Sequence, residues 1–310
     1  MVGPVVAFRA RVANAVSADS RYTLDDGLGA RSLENHASYG PVEALDVTRL
    51  LTVEPAVEQA LRARASRHAL IDRTLIAPVR AMERRGTALR IIADAPGGLR
   101  LSPLLADLEF GNVTLSEATL LELAAAIIGV VAELHRMPGS LAHGAISPAH
   151  VLITRDGGVI LTDSVFGGGF EALHWNREQM WRVFGVALPM SASMHRFDQR
   201  TDVTQLASVV LALMLRRQLR ADEYPRAVPD LVLAATPAGG PAHASALRNW
   251  LQQALQLHPR SVLASAVDAR QMFAQVLASA TISRRGALEP VKEIVEQACR
   301  PAAFSNHRAS

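Results

Sequence analysis

The chain has 310 residues, 49% of them hydrophobic and 20% charged, and a formal net charge of only +3. That composition belongs to a globular protein, and so small a charge excess gives no ground for nucleic-acid binding. A single cysteine, Cys299, excludes an internal disulfide framework and fits a reducing, cytoplasmic setting. Of the 32 basic Lys and Arg residues only Lys292 is a lysine, so no lysine before it is available for chemistry.

In chain order, residues 1–20 form a leader in which Arg9 and Arg11 follow the apolar residues, the reverse of a secretory signal. Tyr22-Thr23-Leu24 and Val42 to Leu51 are expected as strands, with Gly27 and Gly29 in the turn between them. Glu54-Pro55 starts a helix through Val57, Leu61 and Ala65, since proline is tolerated in a first turn. Further strands are expected over Leu70 to Val79 and Leu89 to Ala93, and Pro96-Gly97-Gly98 marks a break between two lobes.

Beyond the break the pattern is helical. Ser116-Glu117 opens a long apolar helix ending near His135, whose charges at Glu122 and Glu133 interrupt any run long enough to span a membrane. Val151-Leu152-Ile153 and Val159-Ile160-Leu161 flank the turn Asp156-Gly157-Gly158 as a hairpin. Residues 164–200 lack periodicity and are expected as a long functional loop. Helices follow over Asp202 to Leu215, Ala246 to Leu257 and Ala266 to Leu277, and residues 281–310 are expected as a peripheral tail. The ten histidines show no metal-ligand spacing. Strands followed by helices give an α+β chain.

Several segments in this order carry a resemblance. His143-Gly144-Ala145-Ile146-Ser147-Pro148-Ala149-His150 resembles the catalytic loop of protein kinases, H-R-D-L-K-P-x-N, and Leu161-Thr162-Asp163-Ser164 falls where that family has its D-F-G segment. Arg200-Thr201-Asp202 resembles the start of the helix anchoring the large lobe, and Leu257-His258-Pro259-Arg260 resembles a late family turn. More loosely, Leu28 to Glu34 resembles the phosphate-covering loop, Gly40 to Val47 the strand of the V-A-I-K lysine, and Glu58 the helix glutamate. The resemblance is to bacterial Ser/Thr protein kinases in degenerate form. It implies a bilobal kinase-like fold, with a small β-rich lobe over 21–97 and a helical lobe over 98–280.

The same resemblance implies lost chemistry. The lysine's place falls on Asp46, the catalytic aspartate's on Ala145, the Mg²⁺-binding asparagine's on His150 and the loop lysine's on Ser147. Gly29 is the surviving phosphate-loop glycine, Arg31 and Glu34 taking the other two places. Asp163 survives as the metal-binding aspartate, and His143, Asp202 and Glu58 remain as structural residues. Near Pro189-Met190-Ser191 the activation segment's glutamate falls on Met190 and its arginine partner on Val262, with Arg260 close by. The expectation is a pseudokinase without cofactor or metal, binding a protein partner near Trp175, Met180, Trp181 and Phe184. The alternative is a divergent nucleotide-dependent transferase in which Asp163 and Gly29 retain binding and Arg31 or Arg90 supplies the cation.

Overall fold

The computed structural model describes residues 21–139, 141–190, 196–235, 240–258, 262–280 and 284–299. The leader and the expectations placed on Ser191, Pro259 and Arg260 lie outside these residues.

The first lobe is an antiparallel sheet made of β1 (Arg21–Thr23), β2 (Gly29–His36), β3 (Gly40–Val47), β4 (Val79–Arg85) and β5 (Ala88–Asp94), in the order β1-β2-β3-β5-β4. Between β3 and β4 come the short α1 (Arg49–Thr52) and then α2 (Pro55–His68). Two sequence expectations fail here. Gly29 to Glu34 is strand, not loop, because its register against β3 pairs Gly29 with Val47 and Arg31 with Leu45. A Cβ on Gly29 would lie 2.1 Å from the Asp46 carbonyl oxygen, so this glycine serves close strand contact. The strand expected from Leu70 begins only at Val79: Leu70 is 89% exposed, and Ile76, with the partly buried Leu75, packs into the core of the other lobe. There Ala77 N–H donates to Leu161 O at 2.8 Å and Leu161 N–H to Leu75 O at 2.9 Å.

The second lobe starts with β6 (Gly98–Arg100), which pairs with β7 (Val151–Thr154), itself paired with β8 (Val159–Leu161). Its helices are α3 (Leu101–Glu109), α4 (Glu117–Arg136), α5 (Phe166–Ala172), α6 (Arg177–Phe184), α7 (Gln199–Leu215), α8 (Val228–Ala234), α9 (Pro241–Ala254), α10 (Ala266–Ser279) and α11 (Glu289–Ala298). Ser116 caps α4 by accepting the Thr119 N–H. α4 is long and apolar enough to cross a bilayer, yet it buries Leu121, Leu123, Ala124, Ile127, Ile128 and Val131 in the helical core.

The long loop expected over 164–200 contains α5 and α6. α6 is delimited by a capping box between Asn176 and Gln179 and by Gly185 in the left-handed region (φ +62°). α5 escapes a periodicity reading because its middle is Gly167-Gly168-Gly169, poor helix formers held by packing on α2. The peripheral tail is also corrected over its described part, since α11 packs on β6 and β7 and buries Val291 and Val295 in the helical core. A second apolar core joins the lobes, with Leu28, Leu45, Val57 and Leu61 clustering with Ala145, Phe166, Phe170, Phe184 and Leu188.

The packing of α5 on residues 143–144 is tight enough to measure. A Cβ on Gly167 would lie 2.5 Å from the His143 carbonyl oxygen and 2.8 Å from Gly144 Cα, both backbone. Gly167→Ala is therefore expected to destabilise the protein by about 1–3 kcal/mol in urea unfolding. Gly129→Ala in α4 meets nothing within 4 Å outside its own helix and should stabilise by roughly 0.5–1 kcal/mol in the same assay.

Candidate functional site

Strand alternation decides which side chains face the interlobe cleft. On β3 the odd positions Glu43, Leu45 and Val47 share one face and Val42, Ala44 and Asp46 the other. Asp46, the residue expected at the lysine's place, points to the outer face and is 39% exposed beside Arg21 at 3.1 Å and Arg90 at 3.7 Å. Glu43 is the strand residue that reaches the cleft. Glu43 and Asp46 are an odd three residues apart and so lie on opposite faces of the strand.

Glu43 belongs to a buried cluster of alternating charge. Arg31, from β2, donates to Asp26 at 2.7 Å, to Asp163 at 3.2 Å and to Glu43 in a short contact. Arg100, at the end of β6, donates to both Glu43 oxygens at 2.8 Å, to Thr162 Oγ1 at 2.8 Å and to the Ala149 carbonyl at 2.6 Å. Tyr22 donates its hydroxyl to Glu43 at 2.5 Å. Arg31, Arg100 and Asp26 are all nearly inaccessible to solvent. Burial raises the Asp163 carboxyl, but Arg31, His150 and Arg100 outweigh it and hold the group at about 2. Burial likewise works against the Arg31 guanidinium, and Asp163, Glu43 and Asp26 more than restore it, raising its pKa.

The β1–β2 turn enters the cleft with these charges. Asp26 accepts the Leu28 N–H at 3.0 Å, Leu28 is fully buried in the cluster that contains Ala145, and a Cβ on Gly27 would lie 2.2 Å from the Val183 carbonyl oxygen. The turn is thus pinned to α6. His150 ties the 143–150 segment to it: Nδ1 lies 2.6 Å from Ala145 O and Nε2 3.3 Å from Asp26. Ser147 sits 3.3 Å from the same His150 Nδ1.

Asp202 accepts the backbone N–H groups of His143 and Gly144, both at 2.6 Å, and lies 2.9 Å from His135 Nε2. One turn along α7, Gln205 accepts the Ile146 N–H at 2.8 Å and donates to Gly144 O at 3.1 Å. His143 Nε2 faces the Thr162 carbonyl at 3.0 Å. Glu58 is not part of this assembly, because its carboxylate holds Arg62 and Arg84 on the outer side of α2. Arg64 is the α2 residue that reaches the 142–144 segment, donating to Ala142 O. The apolar residues expected to receive a partner are mostly internal: Met180 and Phe184 are fully buried, Trp181 is buried with its ring tilted against Tyr224, and Trp175 is half-buried, stacked on Phe184. Met190 is surface-exposed at 36%, and its backbone carbonyl, with that of Pro189, accepts from Arg177.

Asp26, Glu43, Arg100 and Gln205 were not singled out as site residues by sequence. The available signal was a charged residue, Glu43, on the strand face otherwise occupied by Leu45 and Val47.

A search of solved structures finds the kinase domain of Mycobacterium tuberculosis PknI. One such structure superposes with a TM-score of 0.60 at 16% identity, covering 83% of this chain and 94% of that one. Another gives 0.55 at 18% identity over 80% and 91%. The chain has the protein-kinase fold. A scan against family models and a search of curated proteins found no match. In this fold the buried cluster lies between the lobes, with β2, β3 and β6 supplying Arg31, Glu43 and Arg100 opposite Asp163 and His150.

Two neutral histidines couple this site to pH. Burial, with Arg64 and His150 adding to it against Asp202, lowers His143 to about 4; burial and Arg64 lower His68 to about 3. An unfolded histidine takes its proton near pH 6.5 while these folded ones resist it, so stability is full above that value and falls as pH drops toward 4. From pH 7 to 5, His143 alone should remove roughly 2 kcal/mol, read as a lower urea midpoint. Asp163, held near 2, keeps its charge throughout that window.

Proposed function

We propose that this chain is a kinase-like domain without phosphoryl transfer, a cytoplasmic regulatory or scaffolding module that binds a protein partner. The observation that carries the reading is the closed cluster Arg31–Asp26–Glu43–Arg100–Asp163, with Leu28 buried beside it. Phosphoryl transfer works by placed charge, a phosphate-holding cation, a base and a metal. Here the β3 residue facing the cleft is an anion, Ala145 has no proton acceptor, and both Asp163 oxygens are engaged, by Arg31 at 3.2 Å and Thr162 at 2.8 Å.

This donor set does not suit Mg²⁺–ATP. A hard cation needs free oxygen ligands, and His150 offers a nitrogen already committed to Ala145 O. Triphosphate entry requires withdrawing Leu28 from the apolar core and separating Arg31 from three carboxylates.

One observation favours a second reading, a divergent nucleotide-dependent transferase: Arg31 delivers a guanidinium from β2 next to Asp163. A thermal-shift titration with ATP, ADP and AMP, with and without Mg²⁺ or Mn²⁺, separates the two. A ligand at 100 times its Kd stabilises by about 2.7 kcal/mol, a visible shift. No shift is expected. A metal-dependent shift that Asp163→Ala abolishes would establish the second reading instead.

A further inference from the structure

Away from the cleft, an open groove of about 320 Å³ runs along the rear of the lobe junction, lined by Tyr39, Pro41, Arg73, Pro78, Arg80 and Asp94 among others. Its charges are unequal. Arg80 takes both oxygens of Asp94 at 2.5 Å, whereas Arg73 lies 3.9 Å from that carboxylate and is 68% exposed. One carboxylate thus serves two guanidiniums, and Arg73 presents its charge to solvent. Pro41, Pro78 and Pro96 wall the groove with a fixed φ and no N–H donors of their own. The Pro78 and Pro41 carbonyls are taken by Asp94 N–H at 3.1 Å and Ala95 N–H at 3.3 Å. The Tyr39 ring is exposed and stacked on His36 at 4.6 Å. A groove with apolar walls, an aromatic edge and one positive charge in excess favours an extended chain carrying a carboxylate.

We infer that this groove docks an acidic, extended segment of a partner protein. The inference rests on the reading of the chain as a protein-binding module and names the partner's chemistry. The position gives such docking a consequence. Residues 95–97 connect β5 to β6, and the loop carrying Arg73 and Ala77 is hydrogen-bonded to Leu161 in the other lobe. An occupant therefore touches two of the connections between the lobes.

The test is fluorescence anisotropy of a labelled Glu–Pro repeat peptide against the full chain, beside peptides of equal length with Gln or Lys in place of Glu. The Glu peptide is expected to bind, more weakly as salt rises, and the Gln and Lys peptides to bind at least about tenfold less tightly. Arg73→Glu should weaken binding by about tenfold or more and Tyr39→Ala by several-fold, while Arg270→Glu on α10 leaves it unchanged. Hydrogen exchange should slow in 72–80 and 93–98 on binding. Equal binding of Glu and Gln peptides, indifference to Arg73→Glu, or no binding of any peptide would overturn the proposal. The nucleotide titration separates its failure from that of the parent reading. Absent peptide binding without a nucleotide shift removes this groove alone, whereas a metal-dependent nucleotide shift removes the module reading.

Discussion

Arg31→Met should lose about 3–5 kcal/mol of stability, because it strands buried carboxylates and leaves their shape almost intact. Among the described residues, Arg31 is the one cation in direct contact with all three of Asp26, Glu43 and Asp163, and its side chain is fully buried. Methionine fills much of the volume, so the loss measures charge and not a cavity. Arg31→Lys should fall between the two, since a single ammonium cannot reach three carboxylates that a planar guanidinium spans. Glu43→Gln made in the Arg31→Met background should recover part of the loss, and a double-mutant cycle should show a coupling of at least about 1 kcal/mol. Urea unfolding reads the energies, and hydrogen exchange across residues 24–31 reads whether the β1–β2 turn leaves the cleft. A change below about 1 kcal/mol with unchanged exchange would mean that the cluster does not hold the lobes together.

The parts of this architecture that were legible in the sequence are those whose signals are local. The hairpin at 151–161 shows its turn residues, α4 shows its cap and apolar stripe, and the anchoring helix shows its aspartate. The cleft was not legible in the same way, because its members come from five separate segments and meet only through strand register. Asp46 and Glu43 are chemically alike and three residues apart, so a motif match accepts either, while the pleat places one in a buried cluster and the other on the surface. α5 illustrates the opposite failure. Its glycines argue against helix locally, and they are there because the 143–144 backbone approaches Gly167 too closely for a Cβ while α2 packs tightly on Gly168 and Gly169. α11 has a clear apolar stripe in Val291, Ile294, Val295 and Ala298, but nothing in its own residues names β6 as the surface it covers.

Asp202→Ala is expected to be about as damaging, on the order of 4 kcal/mol, for a different physical reason. Asp202 has no solvent exposure, and removing its carboxylate leaves the His143 and Gly144 N–H groups and the His135 ring without their acceptor. Each buried orphan costs about 1–3 kcal/mol, more than the hydrogen bond itself contributed. Asp202→Asn should recover little, since its oxygen replaces one acceptor while its amide N–H groups confront another backbone donor. Gln205→Ala, losing one acceptor and one donor beside the same segment, should cost about half as much. A pH series separates this loss from general damage to the helix. Burial raises the Asp202 carboxyl, but His135, His143 and the Gly144 N–H outweigh it and hold the group below its ordinary value. Its contribution is therefore present above about pH 4 and is lost as the native carboxyl takes up its proton. The native protein and Asp202→Asn should differ most near neutrality and converge in acid; a gap that stays constant with pH would place the effect in packing and not in the charge that braces the 143–144 segment.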